Sequence, residues 1–354
     1  MSEFRLVTAE SVIEGHPDKL ADRISDAILD AAITNDPLAR VAAEVLVTKG
    51  KVFVAGEHLT ARELDVEGVV RRAIQEVGYT AESGFDPQNV EVIVAMHGQC
   101  EEIKATMQPE DQPGVQGNPL DARPAGDQGV VIGFASDETR GLMPLPILLA
   151  HRLARRLAEV RKSGVLPWLR PDGKTQVTLR YDGDQAIGID SILVSAQHDP
   201  GVELDELRRA LIEQVILPCL PEGLDHEGAR LLVNPAGSFV TAGPGVDSGL
   251  TGRKLAVDAY GPQAPVGGAF SGKDSTKVDR TGAYYARYVT RHLVLEGLAR
   301  RVLLEVWYAI GLTRPVSLRV DSSQTGKMPD ERLSRLVGEW LRLPPARHHR
   351  GAPA

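Results

Sequence analysis

An order of helix-like and strand-like segments that recurs three times constrains the fold more than any other feature of this chain. Residues 18–34 have apolar side chains at helical spacing, and two β-rich runs, a second helical pattern and a further β-rich run follow. The same order begins again near Leu145 and a third time near Ala283. Three units of one order predict an α+β fold of three similar α/β modules related by a pseudo-threefold axis, each a mainly antiparallel sheet with helices on one face. Because the units share negligible identity, chance recurrence of helices and strands is the competing interpretation.

The apolar periodicity also gives bounds for the individual elements. Predicted helices cover 18–34, 65–77, 145–162, 203–216, 283–298 and 330–341, and predicted strands cover 41–48, 51–57, 90–96, 176–181, 186–195, 231–234, 302–309 and 316–321. Two long connections rich in glycine and proline, 108–129 and 241–282, separate the units. Loops of this length in a compact domain are usually functional, so we expect functional residues in them.

Composition limits the classes of partner. The chain has 354 residues, enough at roughly 150 residues per domain for two or three domains. Its formal net charge of −8 argues against a general nucleic-acid binder, because neutralising phosphates needs a basic surface. Cys100 and Cys219 are the only cysteines, so no disulfide framework is expected, and the N-terminal residues lack the pattern of a secretory signal. The longest apolar run, 142–150, is far short of the ~20 residues that span a bilayer, so we expect a cytoplasmic protein without nucleic-acid or membrane partners.

The first chemically informative segment, Glu14-Gly15-His16-Pro17-Asp18-Lys19, stands directly before the first predicted helix. A proline in the first helical turn beside an aspartate marks a helix N-terminus, where an imidazole, a carboxylate and backbone N–H groups suit a metal-bound phosphate. A capping aspartate with a surface histidine is the simpler alternative. A stripe of aspartates continues at four-residue spacing, and we interpret it as a solvent-exposed face balanced by nearby cations: Asp22, Asp26 and Asp30 with Lys19 and Arg23.

Two glycine-rich segments carry cations. Residues 267–273 satisfy G-x-x-x-x-G-K, but Asp274 stands where a P-loop needs Ser or Thr, so a P-loop NTPase is only a competing hypothesis. The same loop supplies Lys273 and Lys277 for phosphate oxygens and Asp279 for a divalent cation. In the second segment the pair Arg253-Lys254 follows a glycine turn, a pattern equally typical of a solvated loop. Taken together, the segments indicate Mg²⁺ and several cations around a polyphosphate.

Four of these segments closely resemble the S-adenosylmethionine synthetase (methionine adenosyltransferase) family, and the resemblance runs nearly continuously from Val7 to about Gly338. They are Ser11-Val12-Ile13-Glu14-Gly15-His16-Pro17-Asp18-Lys19, Ala125-Gly126-Asp127-Gln128-Gly129, Gly249-Leu250-Thr251-Gly252-Arg253-Lys254 and Gly268-Ala269-Phe270-Ser271-Gly272-Lys273-Asp274. The resemblance implies a transferase that joins the sulfur of L-methionine to C5′ of ATP, displaces the triphosphate, and hydrolyses it to phosphate and pyrophosphate.

The resemblance also implies roles for individual residues. The catalytic residues would be His16, Lys273 and Arg253. ATP would be bound by His16, Asp172, Lys174, Phe239, Asp247, Arg253, Lys254, Ala269 and Lys273, and methionine by Glu57, Gln99, Asp247 and Lys277. The metal ligands would be Asp18 and Asp279 for Mg²⁺, with two ions per site expected, and Glu44 for one K⁺ per subunit. For Glu44 and Glu57 the sequence alone favours ordinary carboxylates at strand ends.

The resemblance further implies a domain arrangement and an assembly. We expect an N-terminal domain of residues 1–13 and 138–241, a central domain of 14–110 and 242–281, and an incomplete C-terminal domain of 111–137 and 282–354. The family forms homodimers, often paired into homotetramers, with active sites at the dimer interface.

Three departures from the family pattern stand out. Gly237-Ser238-Phe239 replaces the usual Gly-Arg-Phe. The loop 100–121 is longer than in the family and differs from it in sequence, and the family's C-terminal Tyr-Gly-His-Phe-Gly-Arg stretch is absent. We hypothesise that a reading-frame slip produced residues 341–354, because permissible codons for this tail allow a family-like text in the next frame. The DNA sequence of the gene tests this hypothesis. The alternative function is therefore a truncated homologue that binds ATP or a partner subunit without turnover.

Overall fold

The protein is built from three small mixed sheets and the helices that cover them, as seen in a computed structural model that describes residues 4–60, 63–98, 125, 127–312 and 314–340. The strands are β1 (Arg5–Val12), β2 (Arg40–Thr48), β3 (Lys51–Leu59), β4 (Glu91–Gly98), β5 (Gly129–Ser136), β6 (Leu169–Asp182), β7 (Gln185–His198), β8 (Arg230–Val233), β9 (Gly249–Leu250), β10 (Arg301–Tyr308) and β11 (Ser317–Asp321). The α-helices are α1 (Pro17–Asn35), α2 (Val66–Val77), α3 (Leu145–Lys162), α4 (Leu204–Leu211), α5 (Leu255–Asp258), α6 (Val278–Leu295) and α7 (Asp330–Trp340).

The three sheets share one topology. Their strand orders are β9-β2-β3-β4, β1-β6-β7-β8 and β5-β10-β11, so each sheet has a hairpin flanked by an antiparallel strand from a distant part of the chain. In the first two sheets the outer strand on the other side, β4 or β8, runs parallel to its neighbour. Within the described residues the third sheet ends at β11. The predicted α+β fold of three similar modules is confirmed.

Each sheet buries one face against its own helices, which gives three main cores, and a small fourth cluster of Ile132, Phe134 and Tyr260 lies on the other face of the third sheet. Helices α1 and α2 cover the first sheet, α3 and α4 the second, and α6 and α7 the third. On α1, the helical spacing places Leu20, Ile24 and Ile28 on the covered side, and all three are fully buried. Burying one such side chain contributes about 1.5–3 kcal/mol, so this stripe fixes the position of α1 on its sheet.

Some elements differ from the sequence prediction. Strands β1 and β5 were not predicted, and each pairs with a strand more than 150 residues away in the chain, as in Arg5 with Tyr181 and Gly129 with Tyr308. The helix predicted over 203–216 ends as an α-helix at Leu211 and continues as a π-helical turn, Ile212–Ile216. The hypotheses on the loop 100–121 and on residues 341–354 fall outside the described residues.

A helix that crosses a membrane needs about 20 predominantly apolar residues. None of the helices in the part of the chain that the structure describes is both long enough and apolar enough to cross a bilayer.

Candidate active site

The N-terminus of α1 is fixed against the second sheet by close backbone contacts. A Cβ on Gly15 would lie 2.1 Å from the carbonyl oxygen of Pro171, so only glycine allows this approach. The buried hydroxyl of Tyr79 donates a hydrogen bond to the Gly15 carbonyl. His16 then caps the helix, because its Nδ1 accepts a hydrogen bond from the backbone N–H of Asp18 at 3.2 Å.

Asp18 lies at the centre of a cluster of opposite charges. Its side chain is 2% exposed, and its carboxylate accepts hydrogen bonds from the backbone N–H of Leu250 at 3.0 Å and from Lys254 Nζ at 2.5 Å. Arg253 Nε lies 3.5 Å from the same carboxylate. Burial works to raise the pKa of Asp18, but the hydrogen bonds from Lys254 and Leu250 hold it below its ordinary value. Asp18 is therefore a buried anion beside two cations, Lys254 and Arg253.

His16 is neutral at physiological pH. Burial, and then the charges of Lys174 and Lys254, lower the pKa of its imidazole to about 3. Because Nδ1 accepts the N–H of Asp18, the proton of the neutral ring lies on Nε2. The Nε2 side of this buried ring is thus a hydrogen-bond donor near several cations, and the ring is not a base.

Asp172 on β6 has one carboxylate oxygen without a protein partner. Oδ2 accepts the backbone N–H of Gly243 at 3.0 Å, whereas the buried Oδ1 has no hydrogen bond. Burial, aided by the negative charge of Asp247 and opposed by Gly243 and Lys174, raises the pKa of Asp172 to about 6. A buried acceptor without a partner is unusual and indicates a position where a ligand hydroxyl or amine can bind.

A second group of charges surrounds the start of α6. Lys273 Nζ lies 2.5 Å from Asp279 Oδ2, and Lys277 Nζ lies 3.1 Å from Glu57 Oε1 on β3. A Cβ on Gly268 would lie 2.3 Å from the carboxyl carbon of Asp279, so the glycine leaves space for this carboxylate. This group lies next to the cluster around Asp18, because the loop of Arg253 touches the loop of Lys273. A Cβ on Gly252 would lie 2.8 Å from the Cβ of Ala269.

The remaining site residues of the sequence prediction have less contact with these groups. Phe239 is half-buried and its backbone N–H donates to His198 Nε2 at 3.0 Å. Asp247 and Lys174 are exposed but close enough to act on the pKa of Asp172, and Glu44 is exposed on β2. Gln99 lies outside the described residues.

The structure excludes the competing P-loop hypothesis and corrects the interpretation of the aspartate stripe. Asp274 is 2% exposed and its carboxylate accepts the backbone N–H groups of Val41 and Thr276, both at 2.8 Å, and the helix begins only at Val278, so the loop is not a P-loop. The interpretation of the aspartate stripe as a solvent-exposed face holds for Asp30, which is exposed, but is wrong for Asp22, which is 2% exposed, and for Asp26, which is half-buried against the loops. The four-residue spacing from Asp18 places these carboxylates on one side of α1. It does not reveal that the partners of Asp22 and Asp26 are backbone N–H groups of distant loops.

A neutral buried histidine, a buried carboxylate and several cations on glycine-rich loops of an α+β fold are typical of an enzyme that binds a polyphosphate. Comparison with known proteins gives the family. The models of the S-adenosylmethionine synthetase N-terminal, central and C-terminal domains match residues 4–101, 122–239 and 241–350. The chain therefore belongs to the S-adenosylmethionine synthetase family, and the resemblance predicted from its motifs is confirmed.

Similar proteins extend over most of the chain. It is 54% identical over 342 residues to S-adenosylmethionine synthase of Thermus thermophilus, a match that covers 95% of this chain and 87% of the relative. It is 51% identical over 349 residues to S-adenosylmethionine synthase of Desulforudis audaxviator, covering 97% of this chain and 88% of the relative. S-adenosylmethionine synthase of Pseudothermotoga lettingae is 52% identical over 341 residues, covering 94% and 86%.

These similarities establish the activity class predicted from the sequence. The chain is a transferase, a methionine adenosyltransferase that synthesises S-adenosylmethionine from ATP and methionine. The alternative of a homologue that binds without turnover is not favoured, because all three domains match and identity exceeds half of the aligned residues.

Proposed function

We propose that the enzyme transfers the adenosyl group by in-line displacement at C5′ of ATP and then hydrolyses the triphosphate to phosphate and pyrophosphate. The observation that supports this most is that two cationic loops meet beside α1. One loop carries Arg253 and Lys254, and the other carries Lys273 and Lys277. Asp18 of α1 is hydrogen-bonded to Lys254 and lies close to Arg253. A displacement of this kind needs little acid–base catalysis. It needs stabilisation of the negative charge that develops on the leaving group.

In this proposal the cations bind the triphosphate. Arg253, Lys254 and Lys273 hold its oxygens, and the neutral imidazole of His16 donates a hydrogen bond from Nε2 toward the leaving oxygen at C5′. The low pKa of His16, about 3, supports the role, because the ring keeps one donor and adds no charge that would vary with pH. The contribution of His16 to charge stabilisation is therefore a hydrogen bond from a neutral group.

The nucleoside lies, in this proposal, between the second sheet and the loop after β8. The free Oδ1 of Asp172 accepts a hydrogen bond from the adenosine part of ATP, and Lys174, Phe239, Asp247 and Ala269 complete the pocket. The absence of any protein donor to this buried oxygen supports the role of Asp172.

Methionine is a zwitterion, and the pair Glu57 and Lys277 offers the two opposite charges it needs. We assign its ammonium group to Glu57, with Asp247, and its carboxylate to Lys277. Gln99 is assigned to the same subsite on the family resemblance. The 3.1 Å separation of the two side chains supports binding at one place.

Two Mg²⁺ ions and one K⁺ complete the proposed site. Among the described residues, no three His, Cys, Asp or Glu side chains are close enough to hold a metal ion alone. This fits Mg²⁺, which usually takes one or two carboxylates and completes its shell with phosphates and water. Asp18 and Asp279 each contact a phosphate-binding cation and would hold one Mg²⁺ each, and Glu44 would hold K⁺. When bound, Mg²⁺ neutralises charge on the phosphate oxygens.

We further propose a cytoplasmic homodimer or homotetramer with active sites at the dimer interface. The uncovered face of the first sheet carries a continuous apolar row, because Leu250, Leu46, Phe53 and Ile93 are paired across neighbouring strands and none of them is buried. Glu57 lies on the same face, since it is four residues along β3 from Phe53.

The strand orders support the proposed domains, because β9 joins the 14–110 unit and β1 joins the 138–241 unit.

The test is product analysis of the purified protein with ATP, methionine, Mg²⁺ and K⁺. We expect methionine-dependent S-adenosylmethionine with equal amounts of phosphate and pyrophosphate. Asp18→Asn should reduce turnover by at least 100-fold, whereas the matched change at the exposed Asp30 of the same helix should leave it within twofold. A folded, dimeric sample that yields no S-adenosylmethionine would contradict the proposal.

The proposed interface is tested by Phe53→Glu. This variant should be a monomer in analytical ultracentrifugation and should be inactive in the product analysis.

A further inference from the structure

Three aspartates on one side of α1 bind the backbone of the two cationic loops. Asp18, Asp22 and Asp26 follow one another at four-residue intervals, so they form one stripe along the helix. The backbone N–H groups of Leu250, Gly252 and Gly272 donate to them in that order, at 3.0, 2.9 and 2.9 Å. Hydrogen bonds to a carboxylate are about twice as strong as those between neutral groups, so the stripe anchors both loops to a rigid element.

Two of these contacts lie immediately before a proposed phosphate-binding cation. Asp22 holds Gly252, which precedes Arg253, and Asp26 holds Gly272, which precedes Lys273. Both glycines have left-handed backbone conformations, with φ of 79° and 75°. A left-handed glycine turns the chain sharply, so the direction in which the next side chain leaves the loop depends on how that glycine is held.

Additional contacts tie the aspartates to the surroundings of the loops. Lys19 bridges Asp22 to Asp258, which ends α5, at 3.0 and 2.6 Å. Asp26 also accepts a hydrogen bond from Arg280 at 2.8 Å, which joins α1 to the first turn of α6. Both loops are therefore held to α1 at the glycine and also further along the chain.

We propose that Asp22 and Asp26 are positioning residues that orient Arg253 and Lys273, respectively, toward the transferred triphosphate through the N–H groups of Gly252 and Gly272. The inference rests on the proposed role of these two cations in binding the triphosphate. It assigns a function to two carboxylates that bind the backbone of the loops, and it explains why carboxylates occupy the side of α1 that faces both loops.

The experiment is a pair of double-mutant cycles, Asp26→Ala with Lys273→Ala and Asp22→Ala with Arg253→Ala, measured on the full enzyme. The readouts are kcat, the KM values for ATP and methionine, and the hydrolysis of added inorganic tripolyphosphate. We expect Asp26→Ala to lower kcat and tripolyphosphate hydrolysis at least tenfold and to change the KM for methionine less than twofold. In the Lys273→Ala background the same change should cost less than threefold, because no cation remains to be oriented.

A structural role alone gives a different pattern. Equal losses of kcat from Asp26→Ala in both backgrounds would overturn the inference. A lower yield of folded protein with a normal kcat per folded site would overturn it too. If Lys273→Ala itself leaves tripolyphosphate hydrolysis unchanged, the proposed function of the cation is wrong instead, so the two failures are distinguishable.

Two further variants keep the test decisive. Asp22→Asn and Asp26→Asn retain an oxygen that can accept the glycine N–H, and we expect them to recover kcat to within threefold of the parent. Should one alanine variant fail to fold, as judged by circular dichroism, the cycle on the other aspartate still decides, because the two anchors are separate. Asp30→Ala, one turn further along the same helix and exposed, is the matched control and should change no readout.

Discussion

The buried carboxylate of Asp172 should reduce the stability of the enzyme at neutral pH, so Asp172→Asn is expected to stabilise it. The side chain is 6% exposed, and burial raises its pKa from 3.8 to about 6. Well below the unfolded pKa of 3.8 both the folded and the unfolded chain carry a protonated Asp172, so the raised pKa has no effect on stability there. As the pH rises from 4 to 6 the unfolded chain ionises first, and folding becomes less favourable by about 3 kcal/mol in total.

Replacement by asparagine removes this cost, although the amide nitrogen must take the place of one oxygen. Oδ1 has no protein partner to lose, and the asparagine oxygen can still accept the N–H of Gly243. We therefore expect the free energy of unfolding at pH 7.5 to increase by about 1–3 kcal/mol, with most of this gain absent at pH 4. The same substitution should raise the KM for ATP at least tenfold, because the free oxygen is the proposed nucleoside acceptor.

The assay is urea denaturation of both proteins at equal protein concentration from pH 4 to 8, followed by circular dichroism. Asp182→Asn, an exposed carboxylate at the end of the same strand, is the matched control and should change stability by less than about 0.5 kcal/mol at every pH. A destabilised Asp172→Asn protein at pH 7.5, or a gain that does not depend on pH, would refute the reasoning. In the parent enzyme kcat/KM for ATP should fall below about pH 6, and this inflection should be absent in Asp172→Asn.

Three further changes test the packing and the metal requirement. Gly249→Ala would place a Cβ 2.0 Å from the carbonyl oxygen of Pro17, so we expect a loss of about 3 kcal/mol in urea denaturation, whereas Gly141→Ala, in open space, should be neutral. Tyr79→Phe leaves the buried Gly15 carbonyl without its hydroxyl donor and should cost about 1–3 kcal/mol in the same assay. Chelation with EDTA should abolish S-adenosylmethionine formation, and Mg²⁺ should restore it; activity that persists after chelation would contradict the proposed Mg²⁺ sites.

The local pattern of the sequence was sufficient to predict most helices and hairpins. Helix α3 has the predicted bounds, and α1 extends the predicted 18–34 by one residue at each end, because a proline at its start and apolar spacing along it are local signals. Strand β1 could not be predicted in this way. Its partner β6 is far away in the chain, and no turn residues join the two. The motifs were local too, so the contact between Asp18 and Lys254, 236 residues apart, needed the tertiary structure.

The same limit applies to the acidic stripe. Carboxylates at four-residue spacing beside lysine and arginine are typical of a solvated helix face, and Asp30 does conform to that pattern. Asp22 and Asp26 differ only in what lies opposite to them, which is the backbone of loops more than 220 residues later in the chain. A sequence pattern that names side chains cannot distinguish water from a backbone N–H group as the partner.

The long connection after β8 contains only short elements, among them β9 and α5, yet it is ordered along much of its length by pairing with the first sheet. Strand β2 presents its outer edge to this connection, and alternate residues along that edge are paired with it. Val47 pairs with Gly249 in the register of β9, and the N–H groups of Val45, Ala43 and Val41 donate to Thr251 Oγ1, to the Gly272 carbonyl and to Asp274 Oδ2, respectively. An edge strand offers a row of unpaired donors and acceptors, and here the loop satisfies them. The loop was predicted to be functional because it is long, but the paired edge supplies a physical reason. Its cations are carried by a segment that is bound to a sheet on one side and to α1 on the other, so charges on a loop can be held with the precision of regular secondary structure.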